Sequence, residues 1–415
     1  MSEVKPFKAL RPKAEEVEYI ESPPYDVLSR EEARELAGDN PISFLHVVKA
    51  EIDLPEEVDI YDDSVYEKSK ENLQRLTNQG HLIFESSPSF YLYTQEMGDH
   101  IQNGLVCLAS VDGYDNNKIK KHEATRKAKE EDRTKHINTL NAQTGPVLLA
   151  YQDNDKTDEM HAIFNEIKES SPLYQFKSED NVLHNVWRVN NGETIDRIQR
   201  TMSRAENLYI ADGHHRSKAA SLVRNLRRKN NSGYTGSEEY NYFLSVIFPH
   251  TELNIMAYNR VVKDLGTLSK NEFFDKILRS FILEEVEGQY RPGRPHHFGM
   301  FFDGNWFHLK SKEGSFHEAD PVRSIDASIL QENLLDPILS IKKPEESERI
   351  EFVGGIRGLS ELEKLVNSGE FQVAFALYPT SMEELMRVAD AGRNMPPKTT
   401  WFEPKLKSGL FIHLL

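Results

Sequence analysis

The stretch Leu208-Tyr209-Ile210-Ala211-Asp212-Gly213-His214-His215-Arg216 constrains the fold most. Its apolar residues 208–211 read as a short buried strand that runs without a linker into a helix predicted over 213–228. A strand feeding directly into a helix belongs to layered folds in which helices cover a sheet. Other apolar runs, at 44–48, 90–93, 105–111, 146–151, 242–248 and 373–378, predict further strands. Amphipathic segments at 66–79, 160–167, 195–205 and 271–285 predict helices, and 120–141 reads as one highly charged helix. Ser29 with Glu32, Ser360 with Glu363 and Ser381 with Glu384 have the spacing of capping boxes, and the last two helices should end at Gly369 and Gly392. Asp303-Gly304 is a favoured type I′ hairpin pair. The expected fold class is therefore mixed α/β, combining local hairpins with crossover helices. The Asn/Gly-rich loop beginning at Asn230 suggests a division into an N-terminal region, 1–230, and a C-terminal α/β region, 231–415, with the stretch from Gln289 to His297 as the other candidate boundary.

A formal net charge of −16 disfavours general binding to nucleic acid or anionic membrane, which requires a basic field. The lone Cys107 excludes an internal disulfide and a multi-cysteine zinc site. No apolar run is long enough to span a bilayer, and the N-terminal residues lack the apolar core of a signal peptide, so the expected location is the cytoplasm.

A helix N-terminus already carries the positive end of the helix dipole and presents unpaired N–H groups. Adding His214, His215 and Arg216 there is unfavourable for an empty helix but sensible if a phosphate sits on that end, with Gly213 allowing close backbone approach. Asp212 is expected either to cap the helix or to hold a metal ion bridging the phosphates. The competing reading makes Asp212 a simple cap and the histidines exposed surface.

A second cluster lies in residues 121–136. On a continuous helix, His122, Arg126, Lys129, Arg133 and His136 would share one face, a positive stripe suited to a polyphosphate. Glu123 beside it is a candidate general base. The alternative is a solvated helix laced by pairs such as Glu123 with Lys127. Pro23-Pro24-Tyr25-Asp26 is a stiff segment that could fix the Asp26 carboxylate in a site. A metal centre built from His46, His122, His136, His214 and His215 is disfavoured, because none shows the His-x-x-x-His spacing with a helical Glu. Walker-type and Rossmann glycine-rich loops are absent from the sequence.

Five motifs in order make the chain resemble the domain-of-unknown-function family 1015 over essentially its full length. They are Pro23-Pro24-Tyr25-Asp26-Val27, Asn40-Pro41-Ile42-Ser43-Phe44-Leu45-His46-Val47, the block from His122-Glu123-x-Thr125 to Asp132-Arg133, Asp212-Gly213-His214-His215-Arg216, and Met395-Pro396-Pro397-Lys398-Thr399-Thr400-Trp401-Phe402-x-Pro404-Lys405. The sequence departs from the family at Tyr258-Asn259-Arg260, where Thr-His-Arg is expected. The Asp-Gly-His-His-Arg element is also similar to one in free-serine kinases, whose fold belongs with the ParB and sulfiredoxin nucleotide-binding proteins. That resemblance implies a ParB/sulfiredoxin-like core with additional α/β regions, a nucleotide site at Gly213, His214, His215 and Arg216, ATP or ADP as donor, and serine as acceptor.

The expected activity is nucleotide-dependent phosphoryl transfer to a small hydroxylated metabolite. Arg216 and the 213–215 backbone would hold nucleotide phosphates, while Arg126, Lys129 and Arg133, beside His122, would neutralise the transferred group. Asp212 would bind Mg²⁺, and Glu123 or Asp26 would take the hydroxyl proton. The alternative is a nucleotide-binding regulator that phosphorylates nothing; a metal-dependent hydrolase using the histidines is a third reading. Residues 122–136 are expected to pack against the helix beginning at Gly213. The segment from Met395 is expected either to close beside the same cleft, offering Lys398, Thr399 and Thr400 to phosphate, or to form a purely structural hairpin.

Overall fold

The computed structural model describes residues 4–154, 157 and 159–415. The chain forms two compact units, one of Met1–Leu253 with Pro404–Leu415 and the other of Asn254–Glu403. The loop after Asn230 lies inside the first unit, whose large sheet continues through Tyr242–Pro249. Both units are mixed α/β.

The first unit is built on a nine-stranded sheet. One end of it runs, in spatial order, Ile119–Lys120, Leu208–Asp212, Val147–Tyr151, Tyr242–Pro249 and His100–Ser110. These strands are almost uniformly buried, as their continuous apolar composition requires for a sheet covered on both faces. On one face Met160, Ile163 and Phe164 of helix Glu159–Lys168 and Ile198 and Met202 of helix Gly192–Met202 close the core over Val147, Leu149, Leu208 and Ile210. Helices Lys127–Leu140 and His214–Asn230 meet through Ile137, Ala219 and Val223. A further apolar layer gathers Leu10, Ile20, Phe44, Leu45, Leu73, Leu76 and Ile412.

The second unit holds a six-stranded antiparallel sheet that includes Tyr258–Val262, His297–Phe302, Asn305–Ser311, Ile350–Gly354 and Val373–Ala376, with helix Leu359–Asn367 packed on it through Leu359 and Leu362. The hairpin turns at Asp303 and Gly304, with φ of 51° and 80°, the two positive values a type I′ turn demands. Among the described residues no helix is long and apolar enough to cross a membrane.

Four local expectations are corrected. Residues 44–48 are not a strand: Leu45–Val48 forms a helical turn, in which the Val48 amide donates to the Phe44 carbonyl at 3.0 Å and the Lys49 amide to the Leu45 carbonyl at 2.8 Å, so the backbone bonds are closed locally rather than across a sheet. Residues 271–285 split into helix Lys270–Ile277, started by an unforeseen Ser269–Glu272 capping box, and edge strand Phe281–Val286. Ser29 and Ser381 make the capping boxes expected of them, but Ser360 does not, because its helix begins one residue earlier with Gly358 as N-cap. The charged helix spans only Lys127–Leu140. Ile119–Lys120 is drawn into the sheet as a parallel partner of Leu208 and Tyr209, which holds the chain extended and leaves 121–126 as irregular backbone.

Candidate functional site

Strand Leu208–Asp212 pairs antiparallel with Val147–Tyr151, and its register shifts between Ile210 and Asp212. That irregularity ends the ladder and aims the chain at Gly213, whose φ of 99° and ψ of 29° are left-handed. Gly213, not Asp212, is the N-cap of helix His214–Asn230, and no side chain caps it among the described residues. The glycine is required twice over: an added Cβ would be strained at that φ and would meet the Arg216 guanidinium at 3.1–3.4 Å.

Arg216 curls back over the turn. Its Nη2 donates to Asp212 Oδ2 at 2.9 Å, and its Nη1 donates to the Pro146 carbonyl. Its Nε is buried with no hydrogen-bond partner among the described residues. Burial works to lower the Arg216 pKa, but Asp212, Asp26 and Tyr25 outweigh it and hold the guanidinium charged. Burial likewise pushes the Asp212 carboxyl up, yet Lys405, Arg216 and His214 together hold it at about 2. Lys405 escaped the sequence reading of this site, which looked to Lys398, Thr399 and Thr400. Lys398 and Thr399 serve a local turn in the second unit: the Lys398 carbonyl accepts from Arg260 at 2.9 Å, and Thr399 Oγ1 donates to the Pro396 carbonyl at 2.6 Å.

The 121–126 segment does meet the start of the helix, although it is not helical. The His122 and His214 rings lie edge to face, with centroids 4.4 Å apart, and the His122 amide donates to His214 Nε2 at 3.4 Å. Glu123, an exposed residue, places its carboxylate 3.8 Å from His214 Nδ1, and the Arg126 amide donates to His215 Nε2 at 3.1 Å. His122, Glu123 and His214 bring one ligand-capable atom each within 4.8 Å of one another. Burial drives the His122 pKa down to about 4, with Ile210 and Asp212 opposing only partly. Burial and the neighbouring His122 push His214 well below the usual imidazole range, so both rings are neutral near pH 7.

Further along, Arg133 stacks on the Tyr25 ring at 3.9 Å and is anchored by Asp132, whose other oxygen accepts from Tyr66 at 2.9 Å. Tyr25, Arg133, His136, Gly145, Arg216 and Ser408 are among the residues lining one pocket. Burial raises the Tyr25 hydroxyl to about 12, against the pull of Arg133, so it stays protonated. Asp26 is exposed beside it, and its charge is felt at both Arg216 and His215. Lys129 sits over Tyr61 at 5.5 Å and acts electrostatically on His215. Thus His122, Glu123 and Arg126 come to the histidine turn from irregular backbone, and Arg133 reaches Arg216 from the helix; no single helical face carries them. His136 bonds to Ser69 Oγ at 3.1 Å, and His46 bonds to Asp53 at 2.7 Å, so neither joins His122 and His214. The pocket walls from Gln143, Thr144 and Gly145 carried no sequence signal, being ordinary residues brought in by the sheet.

The profile of the family described as "Protein of unknown function (DUF1015)" matches residues 4–328. The chain belongs to this family. The match covers the first unit up to residue 253, including the Asp212–Arg216 turn, and extends into the second. Among solved structures, the chain aligns with a conserved hypothetical protein from Pyrococcus furiosus at 15% identity and a TM-score of 0.36, covering 74% of this chain and 95% of that one. A free serine kinase in complex with AMP aligns at 14% identity and a TM-score of 0.35, covering 72% and 86%. SbnI with a C-terminal truncation from Staphylococcus aureus aligns at 12% identity and a TM-score of 0.38, covering 74% and 87%. No curated protein matches the sequence.

Proposed function

We propose that this chain is a nucleotide-dependent phosphotransferase acting on a small hydroxylated metabolite, with free L-serine the first acceptor to test. The observation that carries the proposal is the pairing of two guanidiniums, Arg216 and Arg133, in one pocket beside a helix start that no described side chain caps. Oriented, partly desolvated cations at a helix N-terminus fit the phosphate groups of a nucleotide. The buried Arg216 Nε and the bare Cα of Gly213 fit a phosphate-bearing ligand in particular: among the described residues one is a donor without an acceptor, and the other leaves room for the Arg216 guanidinium that a Cβ would crowd. The likeness of the Asp212–Arg216 motif to that of free-serine kinases supports the nucleotide and the acceptor class.

In this reading Arg216 and the Gly213–His215 backbone hold nucleotide phosphates, while Arg133, with Arg126 and Lys129 nearby, neutralises the transferred group. Neutral His214 and His215 position the turn without adding charge. Asp212 would share its carboxylate between Arg216 and a Mg²⁺ ion, which would supply charge neutralisation across the phosphates. Glu123 and Asp26, both exposed at the turn, are the two carboxylates placed to accept the hydroxyl proton.

Purified protein incubated with ATP or ADP, Mg²⁺ and a panel of free amino acids and polyols should consume nucleotide only when one acceptor is present. Nucleotide binding with no turnover across the panel would instead favour a regulator. Arg216→Ala should weaken nucleotide binding about ten- to hundredfold, the loss of roughly 1.5 to 3 kcal/mol for a charge-assisted contact. Unchanged affinity by calorimetry would remove the nucleotide from this turn.

A further inference from the structure

We infer that His122, Glu123 and His214 form a binding site for a divalent first-row transition-metal ion, distinct from the Mg²⁺ assigned to Asp212. The three residues come from two segments: the irregular backbone after Ile119–Lys120 and the first position of helix His214–Asn230. They offer two imidazoles and one carboxylate within 4.8 Å of one another. The 3.8 Å between His214 Nδ1 and Glu123 Oε2 is close to the edge of a metal tetrahedron, about 3.3 Å for ligand bonds of about 2.0 Å. A modest change of the Glu123 rotamer would close the remaining gap.

A second observation points to a ligand. His122 is 2% exposed; the Ile210 backbone carbonyl acts on one side of its ring, at the margin of hydrogen-bond geometry, and among the described residues its other ring nitrogen has no hydrogen-bond partner. A buried ring nitrogen without a partner is costly, and an imidazole whose N–H is held by a carbonyl presents its other nitrogen as a metal ligand. Edge-to-face contact with His214 supplies packing but no acceptor. A metal bond to one His122 nitrogen would satisfy a lone pair that the protein leaves unused. At His214, the ion would take Nδ1 and the proton would move to Nε2, so the 3.4 Å contact from the His122 amide would be lost and the ring would move off that N–H.

The donor set names the class of ion. Mg²⁺ and Ca²⁺ select oxygen, whereas two imidazoles with one carboxylate suit Zn²⁺, Fe²⁺, Co²⁺ or Mn²⁺. Three protein ligands leave at least one position for water or for an oxygen of a bound phosphate, the pattern of a reactive site, since structural zinc sites are closed by four. Engaging Glu123 also bears on the phosphotransferase reading, because it leaves Asp26 as the carboxylate able to take the substrate proton. The metal site itself does not depend on that reading.

The test uses the full chain, stripped with a chelator and titrated with Co²⁺ alone while visible d–d absorption is followed; Zn²⁺ is then added as competitor. One Co²⁺ should bind per chain with an intensified spectrum of low coordination number, and Zn²⁺ should displace it. Glu123→Gln, an exposed change that leaves the fold intact by circular dichroism, should weaken Co²⁺ binding at least tenfold. His214→Gln should weaken it further. A wild-type titration showing only the spectrum of the free aquo ion overturns the inference, as does either folded variant binding Co²⁺ as tightly as wild type. Because the readout is the metal's own spectrum, absence of kinase turnover leaves the result interpretable.

Discussion

Arg216 in the first unit and Arg260 in the second are both buried arginines, yet the protein treats them in opposite ways. Arg216 is held charged by Asp212, lines a pocket and, among the described residues, keeps a buried donor unused. Arg260 gives its hydrogen bonds to the backbone carbonyls of Tyr258 and Lys398 and stacks on Phe352 at 4.7 Å, and burial pulls its pKa down to about 10. A guanidinium supported by a carboxylate at a pocket keeps its charge available, which is what the proposed phosphate contact requires. One spent on carbonyls in an interior is a fastener between strand Tyr258–Val262 and the segment around Lys398. The same contrast explains Asn259, at the position where the family pattern expects histidine: its side chain accepts from the Leu377 amide at 3.1 Å, a structural bond within the second unit.

The sharpest test of this contrast is Arg260→Met. It leaves two carbonyls without a donor and should cost about 3 kcal/mol of stability, seen as a large fall in Tm, while the folded fraction binds nucleotide as before. A milder fall than that of Arg216→Ala would reverse the assignment of fastener and ligand arm.

Acid should expose the neutral histidines next. The His122 pKa lies at about 4 in the folded chain and near the ordinary value of about 6.5 when unfolded. Its folded pKa is depressed, so the unfolded chain takes the proton first. Stability is full above about pH 6.5 and declines as pH falls toward 4, by on the order of 2 kcal/mol. His122→Asn should flatten that part of the Tm–pH curve; an unchanged curve would mean that other groups control it.

Asp212→Asn should lower turnover by roughly tenfold or more while changing nucleotide affinity only a fewfold, because charge develops on the transferred group as it moves. Equal effects on both would make Asp212 a ground-state binding group. Its carboxylate is also depressed, to about 2, so the stability it lends persists above the unfolded carboxyl range and fades only as pH drops toward 2. The smallest effect is expected from Arg216→Lys, which keeps the charge but loses the planar fork, and should weaken nucleotide binding by about 1 kcal/mol, or roughly fivefold.

What was legible in the sequence was local. The strand-to-helix turn at Asp212–Arg216, the I′ hairpin at Asp303-Gly304 and the capping boxes at Ser29 and Ser381 each depend on residues within a few positions of one another. The charged 120–141 segment misled because its helical periodicity was real only from Lys127; pairing with strand Leu208–Asp212, far away in sequence, decided the rest. The apolar run 44–48 has no period to separate strand from helix, and only the local backbone bonds from Val48 to Phe44 and from Lys49 to Leu45 distinguish the two. Lys405 acts on Asp212 across nearly half the chain, a partnership that spacing cannot announce. That His122 and Glu123 meet His214 was expected, but their value as a ligand set was set aside for want of His-x-x-x-His spacing, a test that applies only to ligands sharing one helix.

The pairing of Asn254–Met256 with Trp401–Glu403 makes the second unit a hairpin-necked insert. Asn254 and Glu403 are register partners, so the chain leaves the first unit and comes back to it at the same place. A gene deletion that removes the insert would therefore need only a short turn to rejoin the cut ends. In the intact chain, a ribosome must finish the whole insert before Lys405 can reach Asp212, so the charge balance at the turn is among the last features of the molecule to be completed.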